Sequence, residues 1–293
     1  MHNRVGYLAL AVALLGLGIT VFRAPSGSDS GQLKKETAFE RVMRTHTLRC
    51  AYALWQPHFI VDLNTKKMSG DTYEIMEAIG KTTNLKIEWV EEVGYGAFPE
   101  NLRTGKQDAF CSGTWQSVPR AARVEYAIPV EYTPLYVFVR EGDSRFDNNM
   151  GSLNDEKITF SVIDGASQKA ATDALFPKAK QYALGGDSDA SQELVAVAQG
   201  KADAVVANDD LVDDYNAHNP QAKLRRVPSK APLRTFGLGF AVAKGEWELR
   251  DLLNVAIREL QINGTLENIL SQHEISPGRI LRTAPVYVMP KEN

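Results

Sequence analysis

The sequence is poor in the residues that build metal centres and nucleophilic catalytic sites: its 293 residues include two cysteines and five histidines. The histidines (His2, His46, His58, His218 and His273) are scattered, with no zinc-ligand spacing among them or toward the cysteines, so neither a structural metal nor a cofactor is expected. No Gly-x-Ser-x-Gly elbow, His-Glu-x-x-His helix or Cys-His nucleophile pattern occurs, which weakens a hydrolase reading. The chain also lacks an excess of either charge. Its 33 Lys and Arg face 36 Asp and Glu, and the basic residues are dispersed, so neither nucleic acid nor an anionic lipid surface is implied as a partner. Gly80-Lys81-Thr82 ends like a phosphate-binding loop, but Ile75 stands where that loop requires its first glycine; a helix end is the better reading.

What is present is the composition of an ordinary globular protein, 44% hydrophobic and 24% charged, with length enough for two cores. Met1-His2-Asn3-Arg4 is followed by an uncharged apolar run from Val5 to Phe22, the pattern of an export signal. At 18 residues the run is long for a signal-peptide core and just reaches spanning length. Residues 1–23 therefore read as a signal peptide or a membrane anchor, and either way the body lies outside the cytoplasm, in the periplasm or tethered to the membrane. Residues 24–36 are rich in Ser and Gly and read as a flexible linker.

From Thr37 onward short strand-like and helix-like runs alternate: Thr47–Tyr52, Tyr73–Thr82, Lys86–Val90, Phe98–Arg103 and Ala109–Cys111. Such alternation predicts an α/β fold with parallel sheets covered by helices. An internal echo suggests two lobes on one plan. Leu102-Arg-Thr-Gly105-Lys106-Gln-Asp108-Ala109 recurs as Val197-Ala-Gln-Gly200-Lys201-Ala-Asp203-Ala204, a helix closed by a left-handed glycine and then an Asp-Ala entry to a strand. Two long extended runs, Tyr132–Val139 and residues 235–243, suit the two crossings between lobes. The expected division is lobe one over 37–135, lobe two over 136–236, a return to lobe one over 237–275 and a tail over 276–293. A hinged pair of lobes makes a cleft, a favoured place for a small ligand.

With these segments placed, the chain resembles bacterial extracellular solute-binding proteins of family 3, the polar amino acid branch of ABC-transporter substrate-binding proteins. The resemblance rests on Leu48-Arg-Cys-Ala-Tyr, Pro57-His58-Phe59, Gly70 before Tyr73-Glu-Ile-Met-Glu-Ala78, Ser112-Gly113-Thr114, Pro119-Arg120, Tyr126-Ala-Ile-Pro129, Asp164-Gly-Ala-Ser167-Gln168 and Asn263-Gly-Thr-Leu-Glu-Asn-Ile269. It implies a type II periplasmic-binding-protein fold, two lobes with mostly parallel central sheets joined by a two-strand hinge. It also implies a monomer that binds a small carboxylate ligand, an amino acid or analogue, and delivers it to a membrane permease.

By the same resemblance Arg120 grips the ligand carboxylate, as a planar guanidinium can with two parallel hydrogen bonds; Arg123 is the competing arginine. Ser112 and Gly113 fall on the lobe-one contact loop, and Ser167 and Gln168 on the lobe-two turn. Trp55 and Tyr95 fall where aromatic walls stand. Two departures weigh against a standard amino acid site. Asn208 stands where the family often has an Asp for the ammonium group, leaving amine recognition in doubt unless Asp209 substitutes, and bulky Trp115 stands where a small hydroxyl residue is common. The acids Asp209, Asp210, Asp213 and Asp214 read as solvated residues of a helix start. The resemblance puts Cys50 and Cys111 on neighbouring parallel strands, where disulfide geometry is uncommon, so two buried thiols are expected. The alternatives kept open are a cyclohexadienyl-dehydratase-like enzyme on the same fold and a tethered ligand sensor.

Overall fold

The structure, a computed structural model, describes residues 36–275 and 278–283. The apolar segment 1–23 and all of the linker but its last residue lie outside them. Among the described residues no helix is long and apolar enough to cross a membrane.

Thr37 opens the folded body: its hydroxyl accepts the Glu40 backbone N–H at 3.0 Å while the Glu40 carboxylate accepts the Thr37 N–H at 2.9 Å. This reciprocal cap satisfies donors that a helix start leaves unpaired and begins α1 (Ala38–Thr45). There follow β1 (Thr47–Tyr52), a small hairpin of β2 (Ile60–Val61) and β3 (Met68–Ser69), α2 (Asp71–Thr83), β4 (Lys86–Glu92), α3 (Phe98–Thr104), β5 (Ala109–Trp115), α4 (Val118–Ala121) and β6 (Val124–Tyr126). The long β7 (Glu131–Arg140) leads to β8 (Thr159–Ile163), α5 (Ser167–Leu175), β9 (Lys180–Leu184), α6 (Ser191–Ala198), β10 (Ala204–Ala207), α7 (Asp209–His218) and β11 (Leu224–Arg226). The second long strand, β12 (Arg234–Ala243), returns to α8 (Trp247–Ile262), α9 (Thr265–His273) and β13 (Leu281–Arg282). That last strand lies within the stretch expected as a tail and pairs with β7.

The strands run in the order β4-β1-β5-β12-β7-β10-β8-β9. The outer pairs are parallel (β1 with β4 and β5, β8 with β9 and β10), whereas β12 and β7 run antiparallel to each other and to their outer neighbours. Residues Glu131–Leu135 of β7 pair with β12, and Tyr136–Val139 pair with β10. This change of partner within one strand carries the chain from one lobe to the other. Burial follows position: central β5 is buried at all seven residues, as expected for a strand covered on both faces, while edge strand β4 exposes Lys86, Glu88, Glu91 and Glu92.

The internal echo is a shared piece of architecture. Gly105 and Gly200 take φ of 73° and 74° behind α3 and α6, and each following Asp grips the start of a neighbouring parallel strand. Asp108 accepts the Arg49 N–H at 2.8 Å and donates its own N–H to Arg49 O at 2.9 Å; Asp203 does the same with Thr159 at 3.0 and 2.7 Å. An aspartate here supplies an acceptor for a strand N–H of its neighbour, Arg49 in β1 and Thr159 in β8.

Cys50 and Cys111 form a disulfide, not two thiols. Cys50 of β1 pairs with Ala109 of β5, so Cys111 lies diagonally across the pair. That offset brings the Cα atoms to 5.5 Å, within the span a disulfide bridges. Two adjacent parallel strands, where a disulfide is uncommon, thus carry one here.

Candidate functional site: the cleft between the lobes

After β5 leaves the sheet, the single turn of α4 carries Arg120 back under the cleft, where it is 5% exposed. Its Nη1 donates to Thr114 Oγ1 at 2.7 Å and to Ser167 Oγ at 3.0 Å; its Nη2 donates to Tyr95 O at 3.0 Å and to Gly165 O at 2.7 Å. Thr114 and Tyr95 belong to one side of the cleft, Ser167 and Gly165 to the other. The guanidinium is thus a brace across the closed cleft, resting 5.0 Å from the Phe98 ring centre. Burial lowers its pKa from the ordinary arginine value. Arg123, the alternative, is exposed.

Around Arg120 a cavity is lined by Trp55, Tyr95, Thr114, Trp115, Ser167, Gln168, Ala190, Glu193, Val206, Ala207 and Leu211. Trp55 meets Trp115 edge-on at 5.2 Å and Tyr95 at 6.2 Å, and Trp115 stacks on Phe236 at 5.9 Å. The cavity volume is ≈ 30 Å³, room for a water or two. Beyond Trp55, Ala190 and Leu211 lies a wider vestibule of ≈ 360 Å³ reaching Gln56, Asp189 and Asp214.

A buried cation bridging two lobes over a small cavity is the layout of a receptor that closes on an anion, and the family comparison decides which receptor. The model of bacterial extracellular solute-binding proteins, family 3, matches residues 48–274. The chain belongs to this family. Relatives include the probable histidine-binding protein of Campylobacter jejuni, 25% identical over 71% of this chain and 78% of that one. The L-arginine-binding protein of Pseudomonas aeruginosa is 25% identical over 74% and 83%. Among solved structures, the solute receptor for L-cysteine of Neisseria gonorrhoeae superposes with a TM-score of 0.70 at 22% identity, covering 84% of this chain and 99% of that one. An ancestral amino acid-binding protein, a precursor of cyclohexadienyl dehydratase, gives 0.68 at 22%, covering 81% and 99%. The fold is that of the type II periplasmic binding proteins.

In this family 3 protein six of the nine sequence-predicted residues line the cavity: Arg120, Ser167, Gln168, Trp55, Tyr95 and Trp115. Ser167 does more than start a helix, since its hydroxyl donates to Trp115 O at 2.8 Å while accepting from Arg120. Ser112, Gly113 and Asn208 do not line the cavity. The Ser112 hydroxyl is taken by the Ala53 N–H at 2.8 Å, and Gly113 packs against Thr72 and Leu238. Asn208 is buried, with neither amide atom hydrogen-bonded. Asp209 is not its substitute: it is held by Arg226 and Arg279 at 3.4 and 3.2 Å.

Three features escaped the sequence reading. Glu193 of α6 lines the cavity at 2% exposure; the available signal was an acid spaced three from Ala190 and four from Val197, on the buried face of a helix. The cleft is sealed by glycines. Gly96 N–H donates to Gly186 O at 3.0 Å, and a Cβ at Gly96 would stand 2.3 Å from Asp164 O. Finally, Asp210 is buried rather than solvated and faces His58 Nε2 at 4.0 Å, while His58 Nδ1 bonds Asp71 at 2.7 Å. Burial alone would depress the His58 imidazolium, but Asp71, Glu131 and Asp210 outweigh it and lift it to about 9. Burial and the nearby Asp71 push the Glu131 carboxyl to about 8. This group spans both lobes and hinge strand β7.

Proposed function

We propose that this chain is the exported substrate-binding component of an ABC importer, closing on an amino acid or a closely related small carboxylate and presenting it to a membrane permease. The observation that carries the reading is the buried Arg120, whose two terminal nitrogens donate to two acceptors from each lobe. A ligand carboxylate entering the opened cleft takes two parallel N–H donors in exchange for these neutral partners, and charge-assisted bonds are the stronger. Since ≈ 30 Å³ admits no amino acid, uptake requires the lobes to part and the Trp115 side to yield. The relatives named for histidine and arginine support the ligand class. We take residues 37–135 and 237–275 as one lobe and 136–236 as the other, a division supported by the partner change at Leu135 and Tyr136. The apolar segment 1–23 carries the chain across or into the membrane.

The test is a thermal-shift screen of amino, keto and hydroxy acids, since a ligand that binds only the folded state raises its melting temperature. An upward shift with at least one amino acid is expected; no shift with any carboxylate, in protein freed of carried-over ligand, overturns the reading. Turnover of prephenate or arogenate in the same preparation would point instead to the dehydratase-like alternative.

A further inference from the structure

Asn208 offers a ligand ammonium no charge, and Asp209 is engaged elsewhere. The cavity nevertheless holds one carboxyl group among its described lining residues, that of Glu193. Its Oε2 accepts the Gln168 side-chain amide at 2.9 Å, while Oε1 is buried with no hydrogen-bond partner. A buried acceptor left unpaired is costly, and this one borders a cavity. On the opposite polarity, Trp115 Nε1 is a buried, unpaired donor of another residue lining the same cavity.

Ser167 holds Arg120 at 3.0 Å and its neighbour Gln168 holds Glu193, so consecutive residues in the first turn of α5 fasten the cavity's cation and its acid. We infer that Glu193, in place of residue 208, is the receptor for the α-ammonium group, and that the ligand is therefore an α-amino acid and not a keto or hydroxy acid. Burial pushes the Glu193 carboxyl to about 8; an arriving ammonium supplies the opposite charge that lets it ionise.

The inference rests on the solute-binding reading, and one set of titrations separates the two. Calorimetry is run with each of the twenty L-amino acids, and each binder is compared with the 2-hydroxy acid of the same side chain by competition. The parent should prefer the amino acid at least tenfold. Glu193→Gln, which keeps shape and one acceptor, should lose at least tenfold for the amino acid and narrow that preference to within threefold. Glu193→Asp, which shortens the reach but keeps the charge, should retain part of it. Circular dichroism confirms folding, and if Glu193→Gln does not fold the Glu193→Asp variant carries the comparison. Parent-like preference in a folded variant overturns the role of Glu193 alone; failure of every amino acid to bind the parent overturns the solute-binding reading and this inference with it.

Discussion

Replacing Arg120 by alanine removes a side chain that hydrogen-bonds acceptors on both faces of the cleft through one rigid fork. Two of its four bonds, to Ser167 Oγ and Gly165 O, cross the cleft, and on the proposed role the ligand carboxylate loses its planar partner. Truncating one member of a buried charge pair costs on the order of 2–5 kcal/mol, which converts to about 30-fold to several thousand-fold in affinity. The bonds to Thr114 and Tyr95 lie within one lobe, so that lobe should keep its fold with a modest loss of stability. Arg120→Lys preserves the charge without the fork and should recover only part of the affinity. Titration calorimetry with a ligand from the screen measures both variants, and circular dichroism verifies folding. Binding by Arg120→Ala within threefold of the parent would refute the carboxylate role.

Gly96→Ala should weaken binding at least tenfold without touching a lining residue, because its methyl group would clash with Asp164 O and reduce the fraction of molecules able to close; unchanged affinity would show that the glycine seam is not part of closure. Reducing the Cys50–Cys111 bond, which joins residues 61 apart in sequence, should destabilise the fold by about 4 kcal/mol on chain-entropy grounds, read from urea unfolding with and without reductant. Stability should fall as pH rises from about 6.5 to 9. His58, Glu131 and Glu193 all have folded-state values raised above their usual ones, to about 9, 8 and 8, so the folded state binds more protons than the unfolded across that window. Unfolding curves at pH 6 and pH 9 test the sign, and equal or greater stability at pH 9 would contradict it.

Much of the fold was legible in local patterning. Alternating strands and helices, two glycine-closed helices and two long extended runs fix the α/β class and the crossings, because each feature is a property of neighbouring residues. The family resemblance, through an arginine ahead of Tyr126-Ala-Ile-Pro129, singled out Arg120, which the structure buries in the cleft. What stayed hidden depends on distant residues meeting. Glu193 and Asp210 sit among helix-start acids that ordinarily face water, and only tertiary packing puts them inside. The Cys50–Cys111 bond depends on a diagonal offset between β1 and β5, which no spacing in the sequence reveals. Ser112 and Gly113 come from the same motif as Thr114, yet here Thr114 bonds Arg120 while the Ser112 hydroxyl turns to the Ala53 backbone.

The most direct test of the central claim is calorimetric titration of unfolded-and-refolded, ligand-free parent protein with L-amino acids added singly. The account predicts saturable one-to-one binding of at least one of them, with a negative heat-capacity change from apolar burial as the cleft closes. Folded protein that gives no heat of binding with any L-amino acid would contradict it.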